Sequence, residues 1–215
     1  MSSLCTVFLP RRIFEAVISG IFLGTLSFSA AGDTELWRLN LGAESQEVTP
    51  EAFPAWMEQK GFQAFNYLFF KRRPAHWRIG PCDGDPQSCL VLHEKQSSSH
   101  IIYRFEPALT VGDSMMVELA YLVKVQPEGA RLDQKDREDA PLRIFFSFQT
   151  EDGLLHLALT DSDAHAAGTV VRSEREPDAI RYYMLPDRPG TDSYQTSRFP
   201  LKTVFQKAFG PRDPG

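Results

Sequence analysis

Apolar and polar residues alternate in short runs along most of the chain, the period-two pattern of half-buried strands. The run 36–41 puts Trp37, Leu39 and Leu41 on one face. Further strands are predicted over 65–71, 77–80, 89–94, 100–106, 114–125, 142–149, 154–160, 169–172 and 180–185. Turn residues separate them at Gly112-Asp113, Pro127-Glu128-Gly129 and Asp152-Gly153. The Asp152-Gly153 pair stands between the apolar runs 144–148 and 154–159, and it predicts a hairpin because both residues tolerate positive φ. Tyr182 and Tyr183 are strand neighbours that must point to opposite faces, so at most one is expected to face the core.

Two stretches carry a different period. Residues 50–61 read as a short helical turn ending before Gly61. Residues 201–209 place Leu201, Val204, Phe205, Ala208 and Phe209 at helical spacing, with Pro200 at the start and Gly210 as the C-terminal cap. Lys202 and Lys207 are expected on the wet face of that helix. The segment 129–139 is the longest polar stretch, and its mixed charges predict an exposed loop. Many strands, few helices and frequent turns together predict an all-β fold, an antiparallel β-sandwich of jelly-roll type with one short C-terminal helix.

The first 31 residues have a different order. Arg11-Arg12 precedes an apolar run over 16–28, and the small residues Ser29-Ala30-Ala31 follow, the basic, apolar and small sequence of a secretory signal peptide. The apolar run is 13 residues long, against roughly 18 for a spanning helix, so cleavage after Ala31 or Ser29 is expected rather than anchoring. The chain would meet a membrane only through this segment, left uncleaved. Residues 1–31 are thus read as a leader and 32–215 as a single domain, exported to the periplasm. The remaining 184 residues are enough for a real core, since a chain of that size buries roughly 70% of its unfolded surface. The ending Pro211-Arg212-Asp213-Pro214-Gly215 is linker-like, and reads as a domain that stops before its last strands.

Composition narrows the function classes. With 42% apolar and 24% charged residues, wholesale disorder is excluded. The net charge of −5 becomes −6 once the leader is removed, with 21 basic against 27 acidic residues. The basic cluster Lys71-Arg72-Arg73 is too small for a nucleic-acid surface. Cys5 belongs to the leader, leaving Cys82 and Cys89 on either side of Asp83-Gly84-Asp85-Pro86-Gln87-Ser88, which reads as a tight turn. In an oxidising compartment a disulfide closing this loop is expected, contributing on the order of 2–3 kcal/mol. A metal site is the alternative, for which one cysteine pair without a second is poor evidence.

Three sets of residues are candidates for chemistry. Asp161, Asp163 and His165 alternate along Asp161-Ser162-Asp163-Ala164-His165, and offer oxygen and imidazole ligands to a metal if they converge. The plainer reading is a polar turn after a strand. Asp136, Glu138 and Asp139, with Arg143 starting the next strand, form a candidate carboxylate–guanidinium cluster for ligand binding. Glycoside hydrolysis would need a second carboxylate roughly 5–9 Å across from them, with Glu118 or Asp161 as the candidates. Solvated acids paired with arginine are the ordinary alternative. Trp37, Trp56, Trp77, Tyr121, Tyr182 and Tyr183 suit either a sugar-stacking platform or a sandwich core. The chain has no Gly-x-Ser-x-Gly elbow, phosphate-cradling glycine loop, His-Glu-x-x-His pair or dinucleotide fingerprint, and no cofactor is expected.

Several of these segments occur in a telling order. Phe53-Pro54 and Trp56 come early, followed by the strand Met116-Val117-Glu118-Leu119-Ala120-Tyr121-Leu122-Val123-Lys124-Val125. Pro127-Glu128-Gly129-Ala130, the charged Asp136-Arg137-Glu138-Asp139 and the strand Ala140-Pro141-Leu142-Arg143-Ile144-Phe145-Phe146-Ser147-Phe148 come next. Ser197-Arg198 and Ala208-Phe209-Gly210 close the series. This order resembles a family of exported bacterial β-sandwich proteins known as a domain of unknown function. In that family a core strand of Trp-Arg-Trp type precedes a Pro, Gly and Ala loop, an acidic pair and an Arg-containing strand. The resemblance covers 53–215. Leu119-Ala120-Tyr121 stands where the family has its Trp-rich strand, and the family continues past the Phe-Gly helix end into a further strand.

The resemblance implies export and a sandwich, and brings no established activity, cofactor or catalytic residue. The expected function is an exported, non-catalytic protein that binds a glycan or another cell-envelope component. One alternative is a carbohydrate-active hydrolase or lyase using the loop carboxylates. Another is a structural envelope protein that pairs with a partner through a sheet edge.

Overall fold

The computed structural model describes residues 12–20, 22–30, 35–41, 47–66, 77–82, 85–92, 99–123, 126–135, 137–138, 140–186, 194–212 and 214. In chain order the elements are β1 (Arg12–Gly20), β2 (Phe22–Ser29), β3 (Glu35–Asn40), α1 (Phe53–Gln59), β4 (Phe62–Asn66), β5 (Trp77–Cys82), β6 (Asp85–Leu92) and β7 (Ser99–Tyr103). They continue as β8 (Met116–Tyr121), β9 (Leu142–Thr150), β10 (Gly153–Thr160), β11 (Val170–Arg172), β12 (Ile180–Met184), β13 (Gln195–Pro200) and α2 (Leu201–Phe209). Among the described residues the protein is mainly β, with two short helices. Among the described residues no helix is long and apolar enough to cross a membrane.

One sheet has seven strands in the order β11-β12-β10-β9-β1-β7-β4. The second has six, running β13-β8-β2-β6-β5 with β3 also paired to β2. Pairing is antiparallel except between β10 and β12, where His156 to Thr160 runs parallel to Ile180 to Met184. Alternation accounts for the core: Leu142, Ile144, Phe146 and Phe148 of β9 are fully buried, as are Val117, Leu119 and Tyr121 of β8. Both sheets feed one cluster. Phe28 of β2 meets Phe146 of β9 edge-on at 5.6 Å between ring centroids, and Tyr183 of β12 lies 5.7 Å from Phe199 of β13.

The apolar N-terminal run, read from sequence as a leader, supplies two inner strands here. β1 lies between β9 and β7, with Ala16 paired to both Phe146 and Tyr103. β2 lies between β8 and β3, with Leu26 paired to both Leu119 and Leu39, and Phe28 is completely buried. A cut after Ala31 would therefore take an inner strand out of each sheet.

Other elements differ from the sequence reading in instructive ways. The turn expected over 50–61 is a full helix, α1, with Pro54 in its first turn and Gly61 following at φ 80°. β4 begins at Phe62, earlier than predicted. β13 was not anticipated: it is polar apart from Phe199 and Pro200, and exists through its pairing with β8 from Gln195–Tyr121 to Pro200–Met116. The β9–β10 hairpin forms, but Thr150 faces Gly153, so the two-residue loop is Glu151-Asp152 and Gly153 follows it at φ 121°. α2 has the predicted bounds. Leu201, Val204 and Phe205 are buried, the Phe205 ring lies 4.7 Å from Phe148, and the Gly210 N–H closes on the Gln206 carbonyl at 2.9 Å.

Candidate functional site

The face of the seven-stranded sheet turned away from the shared core carries Arg143, Phe145 and Ser147 from β9, His156 and Ala158 from β10, and Tyr182 and Met184 from β12. An uncovered sheet would leave these wet. Instead the charged loop folds over them. Leu132 is fully buried against Ala158, Tyr182 and Met184, so the loop, exposed as predicted at Asp133, Gln134, Lys135 and Arg137, is also anchored on this face. This also resolves the two tyrosines: they do point to opposite faces, and both are buried, Tyr183 in the shared core and Tyr182 beneath the loop.

Four tethers hold the cover. The Arg131 N–H donates to the Arg137 carbonyl at 2.8 Å, closing the loop on itself. The Leu132 N–H donates to His165 Nε2 at 3.1 Å, the Lys135 N–H to a Glu174 carboxylate oxygen at 2.7 Å, and Gln126 Nε2 to Asp161 Oδ2 at 2.7 Å.

Two of the three residues considered as metal ligands are therefore tether points. Asp161 is buried and engaged by Gln126, and His165 accepts from Leu132 with its Nε2 3.7 Å from Asp133 Oδ1. Asp163 is exposed to solvent. Among the described residues no group of three His, Cys, Asp or Glu side chains converges as a metal site would require.

Of the candidate binding cluster, Asp136 and Asp139 lie outside the described residues. Glu138 and Arg143 are brought together, though not as an ion pair: Arg143 Nη2 donates to the Glu138 main-chain carbonyl at 2.7 Å. The Glu138 side chain is only 4% exposed. Ser173 donates to its Oε1, and Arg175 Nε lies 3.4 Å from its Oε2. The Tyr182 hydroxyl also engages Glu138, and the Arg143 guanidinium sits 5.9 Å from the Tyr182 ring centroid. Burial pushes the Tyr182 phenol up to about 12, with Arg143 opposing and Glu138 adding to the rise. Both oxygens of this carboxylate are thus held by hydrogen-bond and charge partners. Glu118, one of the residues considered as an opposing acid, belongs to β8 in the other sheet and faces Arg198 across the strand pair.

Nearby, Ser147 Oγ lies 2.9 Å from His156 Nδ1 across β9 and β10. Burial lowers the His156 pKa, partly offset by Glu176. Ser147 is 1% exposed, and it sits inside a strand rather than on the exposed turn that a nucleophilic serine needs.

Cys82 and Cys89 belong to one hairpin, with Gly80 opposite Cys89 and Cys82 opposite Asp85. The Cys82 side chain lies outside the described residues. Cys89 is buried on the outer face of the second sheet with Val91, Leu122 and Tyr194, whose hydroxyl is 2.6 Å from Cys89 Sγ. The aromatic inventory goes largely to packing: Trp77, Tyr121, Tyr182 and Tyr183 are buried, and Trp56 stacks on Phe53 at 5.5 Å and Phe62 at 6.3 Å. The Trp37 side chain lies outside the described residues.

An open cleft lies elsewhere, where α2 meets the β9–β10 turn and the start of β12. It has a volume of about 400 Å³ and is lined by Asp152, Leu155, Asp178, Arg181, Ala208, Phe209 and Arg212. Leu155, Ala208 and Phe209 form its apolar part. The Arg181 guanidinium lies 5.3 Å from the Phe209 ring centroid, and its Nη1 donates to the carbonyls of Pro177 at 2.6 Å and Ile180 at 2.9 Å.

Comparison with protein-family models, curated proteins and solved structures gives no match. The resemblance to the exported β-sandwich family thus rests on its residues alone.

Sequence reasoning passed over the cleft, although one signal was present. Arg181 shares strand parity with the buried Tyr183 and Leu185, so a charged residue occupies an inward-facing register in a predicted strand. The other contributors, from the β9–β10 turn and the end of α2, are far apart in the chain and only the fold joins them.

Proposed function

We propose that this chain is a jelly-roll-like β-sandwich protein of the cell envelope that binds a glycan or another envelope component without turning it over. The sandwich is supported by the single core to which both sheets contribute. The observation that carries the binding reading is the open cleft beside α2, mostly polar, where Leu155, Ala208 and Phe209 add an apolar edge beside the guanidinium groups. The non-catalytic reading is supported by how the buried polar groups are used. Glu138 is held by Ser173 and Arg175, and Ser147 is enclosed beside His156.

A glycan array probed with the full chain tests this. Binding to a defined glycan motif is expected, and an array without binding, joined by no heat on titration with envelope polysaccharide, contradicts it. The hydrolase reading makes a different demand on Asp136, Glu138 and Asp139: reducing-sugar release that Asp139→Ala abolishes. The binding reading predicts no release.

Export is supported by the basic, apolar and small order of residues 11–31. The pairing of β1 and β2 favours a second reading, in which that apolar run is sheet and the binding function stands without an assigned compartment.

A further inference from the structure

We infer that the cleft beside α2 takes a carboxylate carried on a small body with an apolar face, the chemistry of a hexuronate unit in an acidic glycan. This rests on the ligand-binding reading and narrows it to one ligand class.

The lining itself balances, Asp152 and Asp178 against Arg181 and Arg212, but Arg172 beside it takes up one of the two acids. Asp178 Oδ1 accepts from Arg172 Nη2 at 2.9 Å, and Asp152 Oδ2 lies 3.4 Å from Arg212 Nη1. Arg181 is the third guanidinium of the group, and it pairs with no carboxylate at bonding distance among the described residues. Its Nη1 is spent on two main-chain carbonyls, which fix the plane of the group. That leaves Nε and Nη2, the side-on edge of the fork, without a hydrogen-bond partner among the described residues. This edge matches the two oxygens of a carboxylate, and such bidentate, charge-assisted pairs are the stronger class of hydrogen bond. Burial and the neighbouring charges of Arg172 and Arg212 weigh against the cation, partly offset by Asp178, a burden that an incoming anion relieves.

The rest of the cleft sets the body of the ligand. Leu155, Ala208 and Phe209 offer apolar contact beside the guanidinium, and about 400 Å³ accommodates one or two sugar rings. A neutral sugar would use the floor and leave the Arg181 edge in water. A single guanidinium edge, in a cleft that Asp152 and Asp178 also line, suits a monoanion better than a dianionic phosphate.

The test is calorimetric titration of the full chain with D-glucuronate, D-glucose and benzoate, repeated on Arg181→Gln and Arg181→Lys, with thermal melts to show that each variant folds. Glucuronate is expected to bind at least tenfold more tightly than glucose. Arg181→Gln is expected to remove at least tenfold of the glucuronate affinity, and Arg181→Lys to restore only part of it, because an ammonium cannot make the side-on pair. Equal affinity for glucuronate and glucose, or unchanged glucuronate affinity in Arg181→Gln, overturns the inference. Should Arg181→Gln fail to fold, Arg212→Gln serves, with a smaller loss expected and an unchanged affinity again overturning it. Benzoate binding that depends on Arg181 while glucuronate does not bind would keep the carboxylate site and overturn the hexuronate assignment. Array binding confined to neutral glycans would overturn the carboxylate inference and leave the glycan reading standing.

Discussion

His156 lies across from Ser147 with Nδ1 2.9 Å from the hydroxyl, and burial lowers its pKa despite the pull of Glu176. The free group titrates at about 6.5. Its contribution to stability is therefore complete above that pH and is lost as pH falls below it, because the unfolded chain takes up a proton that the folded chain resists. Urea unfolding at pH 7.5 and 5 should show this loss, and His156→Gln should shrink it; an equal loss in the variant contradicts the assignment. Tyr182 acts at the other end of the scale. Its phenol is pushed up to about 12 against about 10 when free. Stability is unaffected below pH 10 and falls as pH rises from there towards 12, by on the order of 2 kcal/mol in all. Tyr182→Phe is expected to lose that alkaline decline, measured as the change in urea stability between pH 9 and 11. At this scale the tethering by Asp161 and His165 was not legible in the sequence. Their identities suit a metal, but the chain surrounds them with Gln126 and Leu132, and partners 35 and 33 residues away leave no mark on local spacing.

At the scale of elements, α2 was fully legible because its limits are local: Pro200 before it, Gly210 after it, and an apolar stripe between. Phe205→Ala should remove the contact with Phe148 and cost roughly 3–5 kcal/mol by urea unfolding, and a loss under 1 kcal/mol would mean that the helix does not close the core. β13 was illegible because Gln195, Thr196, Ser197 and Arg198 carry no strand pattern, and pairing with β8 supplies what propensity does not. The loop cover was illegible for a related reason. Its stretch from Arg131 to Arg137 holds a single apolar residue, Leu132, and that one side chain is fully buried. Leu132→Ala should cost roughly 2–5 kcal/mol and speed amide hydrogen exchange at Leu132 and Lys135, whose N–H groups tether the loop. Unchanged exchange at both positions would contradict the cover.

For the whole molecule, a mainly β fold could be read from alternation and turns, while the use of the apolar N-terminal run could not. Its composition suits a leader and an inner strand equally, and the pairing with β9, β7 and β8 is made by distant segments that leave no local mark. A chain beginning at Gly32 lacks both, so it is expected to unfold at lower urea and less cooperatively than the full chain. Equal midpoints and slopes would place residues 1–31 outside the folded unit, as the leader reading has it. The proposed disulfide between Cys82 and Cys89 is checked by mass before and after reduction: a gain of two hydrogens on reduction is expected, and no change contradicts it. The proposed binding site is likewise a property of the assembled molecule, since Leu155, Arg181, Phe209 and Arg212 meet only when β10, β12 and the end of α2 come together. Backbone amide NMR of the full chain titrated with D-glucuronate tests this most directly. Shifts centred on Leu155, Arg181, Phe209 and Arg212 are predicted, and shifts centred on Glu138 and Ser173, or none anywhere, would contradict the assignment of this cleft.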